Sequence, residues 1–377
     1  MVFWLTNPAI IILNPPSPIA QNSPWIIRVS EVFENFSEEI ISGLSGIFSK
    51  KLGSEYYLIQ IENPAVLQLA DASKFVRWNL PVEHAWPCNP EKMPAFIEKA
   101  AQTLLKKFGS RNPQAIFIGQ LDPSANNRYY KSLASNLRGR TLQLFPQKVA
   151  EFKDVEAQDC HSPTLFCLVG KEGLFCGMQS PKKSNGFYPG GTKYISQNSP
   201  DTISRAGAKI AEALHFILMH RSPLRKGSHW LELGASPGGM TSELLARGYK
   251  VTAIDRAPLD KRLDRHADLT FGLLDVAAFK PNASMRYDAI LSDMNGDPRE
   301  SIRQVGRLSK NLKNPSWVIF TLKTTGISTY EEINELFESA VATAAAEGLK
   351  LFAKTHLTYN RNELTLFFEP WDTGSPK

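Results

Sequence analysis

Cysteine is scarce in this chain: four residues in 377, at positions 88, 160, 167 and 176. No two stand at C-x-x-C spacing, and no histidine follows at the interval of a structural zinc site. Neither a metal module nor a disulfide scaffold is expected, and reduced thiols fit a cytoplasmic protein. Long apolar runs are missing too. The most apolar early stretch, Ala9-Ile10-Ile11-Ile12-Leu13, ends at Pro15-Pro16 and is too short to span a bilayer. No basic segment precedes it and no A-x-A site follows, so no signal peptide and no membrane partner are expected. Neither sign of charge dominates. Lys and Arg number 43 against 37 Asp and Glu, a net charge of +6 that is compatible with a polyanionic partner. Hydrophobic residues make up 42% and charged residues 21%, which excludes a largely disordered chain, a collagen repeat and a coiled-coil rod. The length allows two or three domains.

What is present divides in two. Up to about residue 180, short apolar runs mix with helical spacing. Ile26–Val29, Tyr56–Ile61, Phe75–Leu80 and Ala115–Gly119 read as strands. Leu165–Gly170 and Gly173–Gly177 read as a hairpin. Glu31 to Lys50 and Pro94 to Phe108 carry helical periodicity. Residues 178–203 are loop chemistry, with Ser180-Pro181 and Pro189-Gly190-Gly191. Beyond them strands at 229–233, 250–254, 288–291, 317–322, 350–354 and 363–368 alternate with helices at 204–220, 239–247 and 330–347. The expected class is α/β: a doubly wound, Rossmann-like sheet behind an N-terminal α+β region. Domains are expected at 1–74, 75–180 and 190–377.

The sharpest local signal is Leu231-Glu232-Leu233-Gly234-Ala235-Ser236-Pro237-Gly238-Gly239, an apolar strand running into a glycine-rich turn that opens a helix. The turn lacks the G-x-G-x-x-G of dinucleotide sites. Gly234 permits a sharp turn, and Gly238 and Gly239 would let a ligand approach the backbone. Asp255 ends the next strand, where a carboxylate can hold a ribose diol. Asp275 ends the one after and could accept from an adenine amino group. The bland alternatives are a ligand-free βα turn and ordinary helix caps.

With these residues in place, the turn resembles the S-adenosylmethionine loop of FtsJ/RrmJ-type RNA 2′-O-ribose methyltransferases. That family carries a Lys-Asp-Lys-Glu tetrad, and this chain has matching segments in the same order. Ser204 to Ile210 resembles the helix of the first lysine, Lys209. Leu291-Ser292-Asp293-Met294 resembles the aspartate motif, Phe320-Thr321-Leu322-Lys323 the second lysine strand and Asn360 to Leu366 the strand of Glu363. A nearer resemblance, specific over about 186–371, is to the RlmM type, which methylates a cytidine of large-subunit ribosomal RNA. Gly186 to Gly191 matches its hinge, and its N-terminal region contains a THUMP module. The resemblance implies catalytic Lys323, Lys209, Asp293 and Glu363. It implies S-adenosyl-L-methionine held by Ser204, Glu232, Gly234, Ser236, Pro237, Gly238, Gly239, Asp255, Asp275 and Asp293. It implies 23S rRNA or a precursor particle as partner, a THUMP-like 75–180 segment and a monomer. Met240 departs from it, standing where an aromatic residue is usual. A lysine serves as base only if its pKa is lowered, and Lys209 beside Lys323 would supply the cation that lowers it.

A basic run supports an RNA partner on its own account. Lys106, Lys107, Arg111, Arg128, Lys131, Arg138, Arg140 and Lys148 face Asp122 alone between residues 101 and 150, with Tyr129 and Tyr130 interleaved. The competing readings are a solvated charged face for this run, and, for the whole chain, a methyltransferase acting on another RNA, a protein or a small molecule. A non-catalytic RNA-binding relative is the reading from a different class; the presence of all four tetrad residues argues for catalysis.

Overall fold

The first sheet is antiparallel, with β1 (Ser23–Val29), β2 (Gly46–Leu52), β3 (Tyr56–Ile61) and β4 (Val76–Pro81) in the order β2-β3-β1-β4. The computed structural model describes residues 22–86, 93–122, 128–145, 155–193, 195 and 202–371; the apolar run at 9–13, Cys88 and Lys148 lie outside them. Helical periodicity from Glu31 predicts one helix to Lys50. Instead a 3-10 turn and α1 (Ser37–Gly43) end at Leu44-Ser45, and the chain enters β2. Ser45 adopts φ +50°, and pairing with β3 outweighs the local spacing. β4 pairs with β1, so this unit runs to residue 81 rather than 74.

β1 is apolar on both faces because both are covered. Side chains alternate along a strand. Trp25, Ile27 and Val29 join a core that continues into the C-terminal sheet. Ile26 points the other way, toward Phe117, Phe166 and Phe175 of the second unit. That unit holds β5 (His84–Trp86), β6 (Ala115–Gln120), β7 (Thr164–Gly170) and β8 (Gly173–Gln179) in the order β5-β8-β7-β6. Between β5 and β6 lies α2 (Met93–Phe108), and between β6 and β7 lies α3 (Arg128–Leu144). The hairpin read at 165–177 is β7 and β8, in register from Thr164 opposite Gln179.

After a linker containing α4 (Pro181–Ser184), the chain builds a seven-stranded sheet in the order β11-β10-β9-β12-β13-β15-β14. The strands are β9 (His229–Leu233), β10 (Lys250–Asp255), β11 (Leu269–Leu273), β12 (Tyr287–Ser292), β13 (Leu312–Lys323), β14 (Leu349–Thr355) and β15 (Glu363–Pro370). β9 to β13 are mutually parallel where they pair, and β15 is antiparallel to both neighbours. One face carries α5 (Ala206–Ile217) and α6 (Gly239–Ala246), the other α7 (Pro298–Ser309) and α8 (Tyr330–Ala346). Strand order reverses between β9 and β12, and ligands of such sheets bind at the carboxyl ends flanking that reversal. Gly234 and Asp293 stand there. No helix among the described residues is long and apolar enough to cross a membrane.

Candidate active site

At the end of β9 the chain must pass under the end of β12. Gly234 takes φ +80°, and a Cβ there would sit 2.8 Å from the Met294 Cα, so only glycine fits the crossing. Gly238 takes φ +105°, a backbone conformation that favours glycine, and the space beside Gly238 and Gly239 is tight. A Cβ on Gly238 would lie 2.4 Å from Leu263 Cδ1, and one on Gly239 2.0 Å from Ser204 Oγ. Both positions are crowded by protein atoms, so the packing of the turn itself requires their bareness. Ser204 thus covers the start of α6.

The cleft beside this turn has a volume of about 270 Å³. Of the expected cofactor residues, Gly234, Ser236, Asp255, Asp275 and Asp293 line it, while Ser204, Glu232, Pro237, Gly238 and Gly239 do not. Asp255 accepts from the Ser236 amide at 2.9 Å and the Ala257 amide at 2.8 Å. Asp275 caps a 3-10 turn, accepting from the Ala277 amide at 2.8 Å. Both acids therefore hold backbone in place and still border the cleft. Glu232 lies behind it, 2% exposed, accepting a 2.8 Å bond from Thr241 Oγ1. The sequence reading missed Asn295, Asp297, Glu300 and Gln304 on the far wall. Asp297-Pro298, which caps and opens α7, is the signal that could have found them.

Four side chains from four separate segments close a ring at the same end of the sheet. Lys209, on α5, lies 2.6 Å from Glu363 and 3.1 Å from Asp293. Lys323, the last residue of β13, lies 2.6 Å from Asp293 and 2.7 Å from Glu363, the first residue of β15. The register sets Lys323 directly opposite Glu363. Two cations alternate with two anions, so each of these buried or half-buried charges has two partners, as desolvation demands. Burial works to lower the Lys323 pKa, but Asp293 and Glu363 together outweigh it and hold the ammonium above the ordinary lysine value. This corrects the expectation that Lys209 depresses it: the carboxylates stand between the two cations.

The basic run is partly neutralised. Arg111 pairs with Glu83, and Arg140 with Glu98 at 2.7 Å. Arg138 donates to the Ile116 carbonyl at 2.9 Å and lies over Phe117. Tyr129 and Tyr130 meet each other edge to face at 5.2 Å, and both pack against the unit's core. Lys106, Lys107, Arg128 and Lys131 remain exposed.

The FtsJ-like methyltransferase family matches residues 202–357, the segment that carries the reversed strand order, the glycine crossing and Lys209, Asp293 and Lys323 of the ring. This segment is similar to an FtsJ-like methyltransferase domain. Ribosomal RNA large subunit methyltransferase M of Shewanella amazonensis is 29% identical over 54% of this chain and 58% of its own length. The protein of the same name from Shewanella woodyi is 28% identical over 53% and 56%. The chain thus spans somewhat over half the length of these curated relatives. Among solved structures, a Methanococcus jannaschii fibrillarin pre-rRNA processing protein aligns over 59% of this chain and 86% of its own, at 17% identity and a TM-score of 0.37. Glu363 lies beyond the segment matched to the FtsJ-like family.

Proposed function

We propose that this protein methylates a ribose 2′-hydroxyl of RNA, using S-adenosyl-L-methionine, and that its substrate is 23S ribosomal RNA or a precursor particle. The observation that carries the reading is the ring of Lys209, Asp293, Lys323 and Glu363, with Asp293 shared between the ring and the cleft. The donor set suits the cofactor. Asp255 and Asp275 offer carboxylate oxygens at successive strand ends, the chemistry a diol and an amino group require, and Asp293 would add negative charge suited to a positively charged cofactor. When bound, the cofactor supplies an electrophilic methyl group.

The chain's own residues supply position and proton transfer. Lys323 is the base in this reading, Asp293 and Glu363 hold its ammonium, and Lys209 braces the same two carboxylates from the other side. An ammonium cannot accept a proton, so the active fraction is the one in which Lys323 is neutral. With its pKa above the usual lysine value, that fraction and the rate climb with pH through the neutral and mildly alkaline range without a plateau. Lys106, Lys107, Arg128 and Lys131 on the second unit, read as THUMP-like, would meet RNA phosphates. The reading takes a monomer at work in the cytoplasm without a metal.

The test is single-turnover methylation by Lys323→Ala and Lys323→Arg. Both are expected to lose roughly 10²-fold or more, since a guanidinium cannot give up its proton at usable pH. Cofactor affinity by calorimetry should change little. Near-full turnover by Lys323→Arg would show that only charge is needed. Mapping 2′-O-methylation of ribosomal RNA from cells with and without the protein identifies the substrate.

A further inference from the structure

The first unit reaches into the catalytic domain through a buried arginine. Arg77 on β4 and Glu212 on α5 are each 4% exposed and lie 2.6 Å apart. The same Arg77 nitrogen also contacts Thr358 Oγ1 and, at 3.4 Å, the Gly191 carbonyl. Glu212 accepts in turn from the Thr358 amide at 2.8 Å and from its hydroxyl at 2.6 Å. Arg77, Glu212 and Thr358 therefore form a closed triangle across the domain junction.

Both ends of this triangle lead to the ring. Glu212 lies one helical turn beyond Lys209 on α5. Thr358 belongs to the loop from β14 to β15, whose next fixed points are Asn360 and Glu363. Asn360 donates to the Glu363 carbonyl at 3.2 Å and to Thr365 Oγ1 at 3.1 Å. Tyr359 is tied to the Ile195 carbonyl at 3.0 Å, and His356 to the Arg361 carbonyl at 3.0 Å. A loop so held places the first residue of β15 with little freedom. Burying an ion pair is weak evidence for stability by itself, because desolvation offsets the attraction. What this pair does is span two elements whose relative position fixes the 2.6 Å contact of Lys209 with Glu363.

We propose that Arg77 is a positioning residue for methyl transfer: from the first unit it holds Glu212 and Thr358 together, and so sets Glu363 against Lys209 and Lys323. The proposal rests on the reading of the ring as catalytic. It makes the first unit part of the reaction apparatus, separate from any part it has in gripping RNA. The charged and titratable groups around Arg77 are Arg28, Glu55, Tyr56 and Glu212, and His356 lies nearby. Those facing Lys323 are Asp293 and Glu363, with Lys209 across them.

The experiment compares full-length Arg77→Met with the double variant Arg77→Met, Glu212→Met. The double variant leaves no buried charge unpaired, so it folds even where the single one does not, yet Thr358 has lost its acceptor. In both, kcat should fall roughly tenfold to a hundredfold, the cost of a displaced reacting group, while calorimetric affinity for S-adenosylmethionine stays unchanged. The rise of rate with pH should move to lower pH, because Lys323 loses part of the carboxylate field that keeps it protonated. Hydrogen exchange at 356–363 should quicken. Wild-type turnover in the double variant, unchanged exchange at 356–363, or a lower kcat with an unmoved pH profile would overturn the proposal. The exchange measurement needs no turnover, so it judges the clamp even if Lys323→Ala retains activity and the catalytic reading of the ring falls.

Discussion

Glu232 carries a carboxyl into the centre of the sheet, where burial raises its pKa to about 8 against the opposing pull of the hydrogen bond from the Thr241 hydroxyl. Nearby Asp293 and Asp255 add to the rise. In the unfolded chain the same group titrates near 4.5. Between those values the folded state binds one more proton than the unfolded state, so stability from this group declines as pH rises. We expect urea unfolding at pH 5.5 and 7.5 to show wild type losing ground against Glu232→Gln, by up to about 1.4 kcal/mol per pH unit. A constant difference between the two proteins would mean that the carboxyl is already ionised. Asp255 poses the opposite case, an acid held by two backbone amides at the mouth of the cleft. Asp255→Ala removes the acceptor of both amides along with the carboxylate, and calorimetry should show S-adenosylmethionine binding at least about tenfold weaker. If NAD binds and S-adenosylmethionine does not, the cofactor assignment is wrong.

Elements differ in how openly the sequence announces them. β9, β10, β12 and β13 read as strands because each contains a short, mostly apolar run, interrupted in β9 only by Glu232 and in β10 by Thr252, as strands buried on both faces tend to be. Lys209, Asp293, Lys323 and Glu363 were legible as a set only through the family resemblance; nothing in the spacing of residues 154 positions apart says that two side chains meet. Partners distant in sequence explain the misreadings too. Glu83 and Glu98 fall outside the 101–150 window that looked nearly free of acid, yet they fold against Arg111 and Arg140. The helical spacing of 31–50 gave no hint that β3 would claim 46–52. Leu263 and Ser204, which occupy the space beside Gly238 and Gly239, are likewise non-local. The corrected charge pattern sharpens the prediction for RNA. Arg128→Gln with Lys131→Gln, at the exposed start of α3, should weaken RNA binding and reduce the slope of log affinity against log salt by about one for each phosphate no longer neutralised. An unchanged slope in filter binding across a salt series would remove this helix from the interface.

At the scale of the whole molecule, the first unit and the methyltransferase sheet share one core. Phe33 and Phe75 pack edge to face at 5.1 Å, Phe75 meets Tyr330 of α8 at 5.4 Å, and Lys74 lies 4.3 Å over Phe337. Scanning calorimetry should therefore show the two unfolding in one transition, and a fragment of residues 190–377 should aggregate or lose cooperativity. Two well-separated transitions would show the interface to be loose. The antiparallel β15 has a further consequence, for biosynthesis. It lies inside the sheet, between β13 and β14, although it is the last of that sheet's strands to be made. Until Pro370 has left the ribosome, β13 and β14 have no strand between them and Lys323 has no Glu363. The nascent protein must keep an unfinished sheet with two open edges from pairing wrongly, and it acquires its complete ring of charges only when that last strand slides into place.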